Sequence, residues 1–276
     1  MKSVWVIAKR DFQSFFYTPI GYVVVGIFAL ISGLAFVMSF NLYIRVSQEP
    51  TLFGYSTIPD FEETLLSPFM VFCGTLIMFL SPLITMRLFA EEKHRGTIEL
   101  LFTQPLRDRD ILLGKFLAAM GMVVMMMLVV GVQVGIMGYF AKVELLVLVF
   151  GVITVFLMGS AFISLGLFVS SISRNQITAG TIAFGLNLLL YIMGYTGEKL
   201  PEATPVPEHL AGILRVPIDF MYQIFRAFVV ELPVDLHARE LAQGVIQPNN
   251  VVYYLLFCAF FLFLTFRALE SRKWRS

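Results

Sequence analysis

The residues that could carry out chemistry are few in this sequence of 276 residues. A phosphate-binding loop needs two glycines followed by Lys and Ser or Thr, so that backbone N–H groups can hold the phosphates. The single Gly-Lys pair, Gly114-Lys115, has Arg109 where the first glycine would be and Phe116 after the lysine. The sequence therefore does not predict ATP hydrolysis by this chain.

Histidine, serine and cysteine side chains form no recognisable catalytic or metal-binding pattern. The serines within apolar stretches have no histidine or carboxylate nearby that could activate them. The histidines are scattered, and Cys73 and Cys258 lie singly in apolar runs, where a thiol packs as a small hydrophobic group. We therefore predict no catalytic residue, no metal site and no cofactor bound by this chain. An enzyme on the outer side that uses His209 and His237 stays open as an alternative.

The composition indicates the environment in which these residues lie. Hydrophobic residues make up 58% of the chain and charged residues 14%. Soluble domains have roughly 45–50% and about 25%. The small net charge of +1 gives no basic field for nucleic acid. The composition excludes a disordered chain and most soluble enzymes, and it favours a membrane protein.

Six long stretches contain no Asp, Glu, Lys or Arg. A helix needs about 20 apolar residues to cross a hydrocarbon core roughly 30 Å thick, and each stretch is long enough. Backbone groups in lipid must satisfy their own hydrogen bonds, and the stretches lack the alternation of barrel strands. We predict six membrane-spanning helices, near residues 20–44, 67–89, 116–140, 146–170, 177–195 and 251–267.

The charged residues between these spans are distributed unequally between the two sides. Segments 1–19, 87–115, 171–176 and 267–276 together hold fourteen basic and seven acidic residues, whereas the other side holds six and twelve. Basic residues are enriched in cytoplasmic loops of membrane proteins. We therefore predict that both termini and the 87–115 segment are cytoplasmic and that the protein lies in the inner (cytoplasmic) membrane.

The first 18 residues have the pattern of an amphipathic helix. At 100° per residue, their apolar side chains fall within one arc, and Lys9 and Arg10 lie on the remaining surface. We predict an interfacial helix on the cytoplasmic membrane surface, with an extension of the first span as the alternative. Its membrane-facing residues would include Trp5, Phe12, Phe15 and Phe16.

The cytoplasmic segment 87–115 contains a pattern that a solvated loop would not need. Gly96 ends the extension of the second span, and Thr97 can cap a short helix that ends before Pro105. Spacing of three and four residues gives this helix an apolar face, formed by Ile98, Leu101 and Phe102. That face either packs on the ends of the spans or docks on a partner, and the residue pattern leaves both possibilities open.

Outside the cytoplasm, the long segment 196–250 contains several prolines, so no single helix should span it. Short helices are predicted between the prolines, over Ile218–Leu232 and Leu236–Ala242. Such helices could lie at the outer membrane surface or enter the membrane partway.

Polar residues and glycines within the predicted spans have two possible roles. Asn41, Gln133 and Asn187 could line a substrate pathway, or they could bond one helix to another. Gly131 and Gly135, four residues apart, predict a close helix crossing in the third span. The methionines of that span could line a metal or thioether pathway or fill a mobile interface.

Two stretches of the sequence resemble a known family. The first is the order Glu91-Glu92-Lys-His-Arg-Gly96-Thr97-Ile98-Glu99-Leu100-Leu101, then Pro105, then Leu113-Gly114-Lys115. The second is the C-terminal order Gly244-Val-Ile, then Val251-Val-Tyr-Tyr, then the stretch 264–274. Both resemble ABC-2-type permeases, most of all the gliding-motility-associated branch and more distantly the copper-site-assembly branch. The resemblance covers nearly the whole chain, although Leu236–Ala242 is less aromatic than expected.

The resemblance implies a fold and a set of partners. The chain 1–276 would be one ABC-2-type transmembrane domain: all-α, with six transmembrane helices, an N-terminal interfacial helix and short helices before the last span. Residues 91–105 would hold the cytoplasmic coupling helix, which contacts a separate nucleotide-binding ATPase subunit through Glu91, Glu92, Gly96, Thr97, Ile98, Glu99, Leu100, Leu101 and Pro105. A second contact would involve Ser173, Arg174 and Asn175.

The same resemblance implies that the partner subunit, and not this chain, binds ATP and Mg. A second permease subunit, identical or homologous, would complete the complex within the lipid bilayer, without nucleic acid. The expected function is ATP-driven movement of an unidentified substrate, as an exporter. A membrane scaffold, mechanotransmitter or channel subunit without transport remains the alternative, because the sequence does not reveal whether a substrate crosses the bilayer.

Overall fold

The computed structural model describes residues 2–57, 59–96, 107–140, 144–197, 199–201, 212–244 and 247–271. Within these ranges the protein is helical and contains no strand. The helices are α1 (Lys2–Tyr17), α2 (Pro19–Gln48), α3 (Glu62–His94), α4 (Asp108–Phe140), α5 (Leu145–Ile172), α6 (Gln176–Gly197), α7 (Gly212–Glu231), α8 (Leu236–Ala242) and α9 (Pro248–Glu270).

Six helices in the described part of the chain, α2 to α6 and α9, are long and apolar enough to cross a membrane. Each of the six spans predicted from charge-free stretches lies inside one of them, and most extend a few residues further at their ends. The all-helical fold class with six candidate membrane-spanning helices is therefore confirmed.

Helix α5 forms the centre of the bundle. It carries no charged residue and packs against α3, α4, α6, α8 and α9. Its side chains are buried along most of its length, which is why it needs no polar face. Two apolar clusters result, one mainly among α1 to α4 and one mainly among α5, α6, α8 and α9.

Helices α2 and α9 lie at the periphery and expose apolar side chains. Leu30 and Met38 of α2 are 64% and 72% exposed, and Leu256 of α9 is 64% exposed. Contiguous apolar surface of this extent is unfavourable in water but favourable against lipid or another apolar chain. The exposed surface thus agrees with a membrane setting.

The chain breaks between α1 and α2. Thr18 has extended backbone angles, with φ −108° and ψ 153°, and Pro19 is the first residue of α2. Proline is favoured at this position because its missing N–H would have no helical partner. Residues 2–17 are therefore a separate helix and not an extension of the first span; their position relative to a membrane surface remains a prediction.

Helix α3 is irregular at three places. Its hydrogen bonds have π-helical spacing over Glu62–Leu66 and Arg87–Glu91, and Pro82 lies inside it. Pro82 has no N–H to donate to the carbonyl oxygen of Met78, four residues earlier. The hydroxyl of Ser81 and the side-chain amide of Asn187 in α6 donate to that oxygen instead, at 3.0 Å and 2.9 Å, and the Asn187 bond joins α6 to α3 at the proline.

The two short helices between α6 and α9 differ in how well they were predicted. Helix α8 has the predicted bounds. Helix α7 begins at Gly212 and not at Ile218, so Pro217 lies inside it and the predicted start is wrong. A proline removes one hydrogen bond and can bend a helix, but it need not end one.

Helix α8 is tied to the bundle through buried and polar contacts. Its residues Ala238, Leu241 and Ala242 are buried, and it packs on α3 and α5. His237 hydrogen-bonds Asn250 of α9 at 3.0 Å. The sequence also predicted a close helix crossing at Gly131 and Gly135. That prediction is wrong within the described part of this chain, because a Cβ at either glycine would meet nothing within 4 Å.

Candidate functional site

Charged side chains from three helices meet at the base of the 91–105 segment. The ammonium nitrogen of Lys115 in α4 lies 3.1 Å from a carboxylate oxygen of Asp11 in α1 and 2.9 Å from one of Glu92 in α3. Lys115 is only 1% exposed. Arg10 pairs with the same two carboxylates, at 2.7 Å and 3.4 Å, and is half exposed. These four residues, which we call the three-helix ion cluster, carry two positive and two negative charges.

Close packing of α1 on α4 brings these charges together. A Cβ at Gly114 would lie 2.7 Å from a side-chain carbon of Ile7, so a larger residue there would push the two helices apart. The neighbouring Lys115 therefore sits directly beside α1. Its ammonium nitrogen also lies 5.2 Å from the centre of the Phe89 ring, a favourable cation–π distance.

A second set of contacts links the end of α3 to the break between α1 and α2. Arg87 donates to Glu91 at 2.8 Å and to the hydroxyl oxygen of Thr18 at 2.5 Å. Glu91 also pairs with Arg95 at 2.6 Å. Because Thr18 is the residue at which the chain changes direction, Arg87 attaches that corner to α3.

The charged side chains surround a cavity of about 350 Å³. Its wall combines the three-helix ion cluster with Ser14, Thr18, Arg87 and Glu91. A cavity lined by paired charges leaves room for these side chains to rearrange when the helices shift, which a fully packed core does not.

The end of α3 is also bonded to the end of α5. Lys93 donates to the carbonyl oxygens of Ser171 and Ser173, at 3.0 Å to the latter. The hydroxyl oxygen of Ser170 accepts hydrogen bonds from the backbone N–H groups of Phe89 and Ala90, at 3.2 Å and 3.1 Å. These donors lie in the π-helical turn, where the regular helical hydrogen-bonding pattern shifts.

The structure brings part of the predicted coupling site together. Glu91 and Glu92 are mostly buried and paired with residues of this chain, so they hold the base of the segment in place. Gly96 adopts a left-handed φ of +69° after α3 ends at His94, which confirms the predicted end of that helix. The remaining predicted residues lie outside the described part of the chain: Thr97, Ile98, Glu99, Leu100, Leu101 and Pro105.

The predicted second contact lies beside the first. Ser173 directly follows the last residue of α5, and its carbonyl oxygen accepts a hydrogen bond from Lys93 near the end of α3. The Asn175 side chain accepts a hydrogen bond from the backbone N–H of Thr178 at 2.7 Å, so it caps the start of α6. Arg174 between them is exposed.

The predicted interfacial residues of α1 divide between two environments. Phe15 is 2% exposed and belongs to the apolar core, whereas Trp5 is 69% exposed. Phe12 and Phe16 are partly buried and pack edge to face with ring centres 5.3 Å apart. Much of the apolar arc thus packs against the protein itself.

The three polar residues predicted as pathway or helix-bonding residues differ in their contacts. Gln133 donates to Ser32 of α2 at 3.0 Å, and Asn187 bonds α3. Asn41 is exposed and donates to Val37 O within its own helix. Two of the three therefore bond neighbouring helices.

The sequence-based prediction missed five residues of the site: Arg10, Asp11, Arg87, Lys93 and Lys115. A signal was available for Lys115, which follows a glycine at the start of an apolar span, where a charge needs a partner. Its partner Asp11 lies 104 residues away in sequence, so no local pattern could identify the pair.

The fold and the site together define a helical membrane protein in which a cluster of paired charges joins three helices. The chain matches the family described as ABC-2 family transporter protein across residues 5–274, and it belongs to that family. No curated protein matches the chain.

Proposed function

We propose that this protein is the permease subunit of an ABC transporter that exports an unidentified substrate, using ATP hydrolysed by a separate subunit that binds ATP and Mg. Family membership over nearly the whole chain carries the proposal. It is supported by the three-helix ion cluster, which lies at the base of the segment expected to contact the ATPase.

The proposed coupling follows from the contacts around α3. The apolar face of residues 97–105 would dock on the ATPase, and the turn Ser173–Asn175 would make a second contact. Lys93 donates a hydrogen bond to Ser173 at the end of α5, and Arg87 donates one to Thr18 at the corner between α1 and α2. Glu92 forms an ion pair with Lys115 of α4. A displacement of the loop would therefore act on several helices at once.

The wider arrangement is part of the same proposal. Two permease subunits would pair with two ATPase subunits in the inner membrane, with both termini cytoplasmic. The charge asymmetry between the two sides supports this orientation. The gliding-motility-associated branch remains the proposed subfamily, on the motif residues 91–101 and the C-terminal stretch.

The proposal can be tested by isolating the protein from its native membrane in mild detergent and identifying what accompanies it. We expect a stoichiometric soluble protein with a phosphate-binding loop. Leu101→Asp should remove this partner and its permease-dependent ATP hydrolysis, because a carboxylate in an apolar contact loses hydration without gaining a partner. Membrane insertion should be unchanged.

Leu52→Asp is the matched control, because Leu52 is 75% exposed on the opposite side of the bundle. It should retain the partner in full. Retention of the partner by Leu101→Asp would contradict the coupling assignment. If the partner is present, the growth medium of wild-type cells and of Leu101→Asp cells would be extracted and compared. The medium of the Leu101→Asp cells should contain less of one class of compound. Equal amounts in the two media would favour the scaffold alternative.

A further inference from the structure

An apolar groove runs between α1 and α4, on the side of α1 away from the three-helix ion cluster. Its volume is about 660 Å³. Its lining includes two polar side chains, Lys9 and Gln13, and an apolar wall formed by Trp5, Phe12, Leu117, Met120, Val124 and Phe156.

The position of the groove along α4 indicates which molecules can reach it. From Leu117 to Val124 the helix rises about 10 Å, at roughly 1.5 Å per residue. One leaflet of the hydrocarbon core is about 15 Å deep, half of the roughly 30 Å total. Val124 and Phe156 belong to candidate spanning helices and are 44% and 40% exposed, so the groove opens sideways where lipid chains are the available apolar molecules.

The basic residue at the groove has no counter-charge in the part of the protein that the structure describes. Lys9 is exposed and makes no ion pair there, whereas its neighbour Arg10 pairs with Asp11 and Glu92. Gln13, one turn further along α1, supplies an amide donor beside it. Together they offer hydrogen bonds and a positive charge beside an apolar groove.

We propose that this groove binds an anionic phospholipid of the cytoplasmic leaflet, with an acyl chain along Leu117 to Val124 and the headgroup phosphate at Lys9. Lys9 favours a lipid of net negative charge because a zwitterionic headgroup carries its own ammonium to compensate the phosphate. The leaflet assignment rests on the proposed orientation of the transporter, whereas the groove and its charge do not.

The chain has two tryptophans, so Trp274→Phe leaves Trp5, at the groove, as the single fluorophore. This protein would be placed in lipid nanodiscs that contain phosphatidylglycerol or phosphatidylcholine brominated on the acyl chain, at equal mole fractions. Brominated phosphatidylglycerol should quench Trp5 at about fivefold lower mole fraction, the ratio that corresponds to about 1 kcal/mol for one basic side chain near an anionic surface.

Lys9→Gln should bring the two quenching curves together, and Arg174→Gln, which removes an exposed cytoplasmic-side arginine away from the groove, should leave them apart. Equal quenching by the two lipids in the Trp274→Phe protein, or an unchanged preference in Lys9→Gln, would overturn the proposal. If Lys9→Gln is not recovered from membranes, native mass spectrometry of the wild-type protein decides: one retained phosphatidylglycerol per chain is expected, and none would overturn it.

This experiment is independent of the proposed transport function. Nanodiscs have no inside or outside, and quenching needs neither ATP nor a partner subunit. If no ATPase is isolated but quenching is selective for phosphatidylglycerol, the coupling proposal is refuted and the lipid site is retained. If an ATPase is isolated but quenching is equal for the two lipids, the lipid site is refuted and the coupling proposal is retained.

Discussion

At the scale of the residue, Lys115 is the most buried charged side chain among the described residues. A buried ammonium ion is costly unless ionised partners and hydrogen bonds replace its water. Asp11 and Glu92 provide this compensation from two other helices. The lysine therefore makes the packing of α1, α3 and α4 mutually dependent, because a shift of either carboxylate leaves a buried charge incompletely paired.

Lys115→Met should destabilise the protein by about 3 kcal/mol, since it removes the buried ammonium that pairs with the two mostly buried carboxylates of Asp11 and Glu92. In a thermal unfolding experiment in detergent, we expect a fall in Tm of roughly 5–10 °C. Arg267→Met is the control, because Arg267 pairs with Glu270 at the exposed end of α9 and such pairs contribute under about 1 kcal/mol. Equal shifts in the two variants would show that the three-helix ion cluster has no special role.

The residues of the site were predictable only where the signal is local. Gly96 was identified because a glycine after a helical run ends it, and its positive φ agrees. Glu91 and Glu92 were identified from a motif, but their orientation toward Arg87 and Lys115 was not. The orientation of these side chains depends on which helices pack together, and a single sequence does not show which helices are in contact.

At the scale of the element, α3 runs from Glu62 at one end of the bundle to the three-helix ion cluster at the other. Pro82 interrupts its backbone hydrogen bonds about one turn before the π-helical turn at Arg87–Glu91. Irregular turns of this kind bend a helix and are often found at functional sites. The segment between them is therefore the part of α3 best able to change its direction without breaking the helix.

A double-mutant cycle tests whether Asn187 substitutes for the hydrogen bond that Pro82 cannot make. Pro82→Ala restores an N–H that can donate to Met78 O, so Asn187→Leu should cost less in that background than in the wild type. The coupling should be about 0.6 kcal/mol, the average for hydrogen bonds between membrane helices. Thermal stability of the four proteins in detergent measures it.

The matched cycle replaces Asn41, whose hydrogen bond stays within α2. Asn41→Leu and Pro82→Ala should have additive effects on Tm, because the two residues share no partner. If the effects in the Asn187 cycle are also additive, the hydrogen bond from Asn187 to Met78 O does not compensate for the missing N–H of Pro82.

At the scale of the whole molecule, the sequence determines the number and positions of the spanning helices because lipid excludes charge from long stretches. The α8 bounds follow from local turn residues in the same way. The start of α7 could not be predicted from local residues. Pro217 indicates a helix boundary in the sequence, whereas the helix continues on both sides of it in the structure. No helix in the described part of this chain crosses closely at Gly131 and Gly135, and glycine spacing does not say which helix lies opposite.

Cysteine labelling tests the predicted orientation in a background with Cys73→Ser and Cys258→Ser. Thr51 and Lys199 lie in segments predicted to face the outside, so Thr51→Cys and Lys199→Cys should react with a membrane-impermeant maleimide in intact cells. Arg174→Cys lies in the turn between α5 and α6 and should react only after permeabilisation. Labelling of all three in intact cells would contradict the charge-based orientation.

The pairing of Asp11 with Lys115 also imposes an order on biosynthesis. The two residues are 104 positions apart, so Asp11 leaves the ribosome long before its partner exists. At about 5–20 residues per second, the interval is roughly 5–20 seconds. During that time the ammonium group that compensates burial of the Asp11 carboxylate is absent. We therefore expect the carboxylate to remain hydrated and α1 to remain outside its final position in the bundle. The N-terminal helix is therefore synthesised first but can complete its packing only after the start of α4 has emerged.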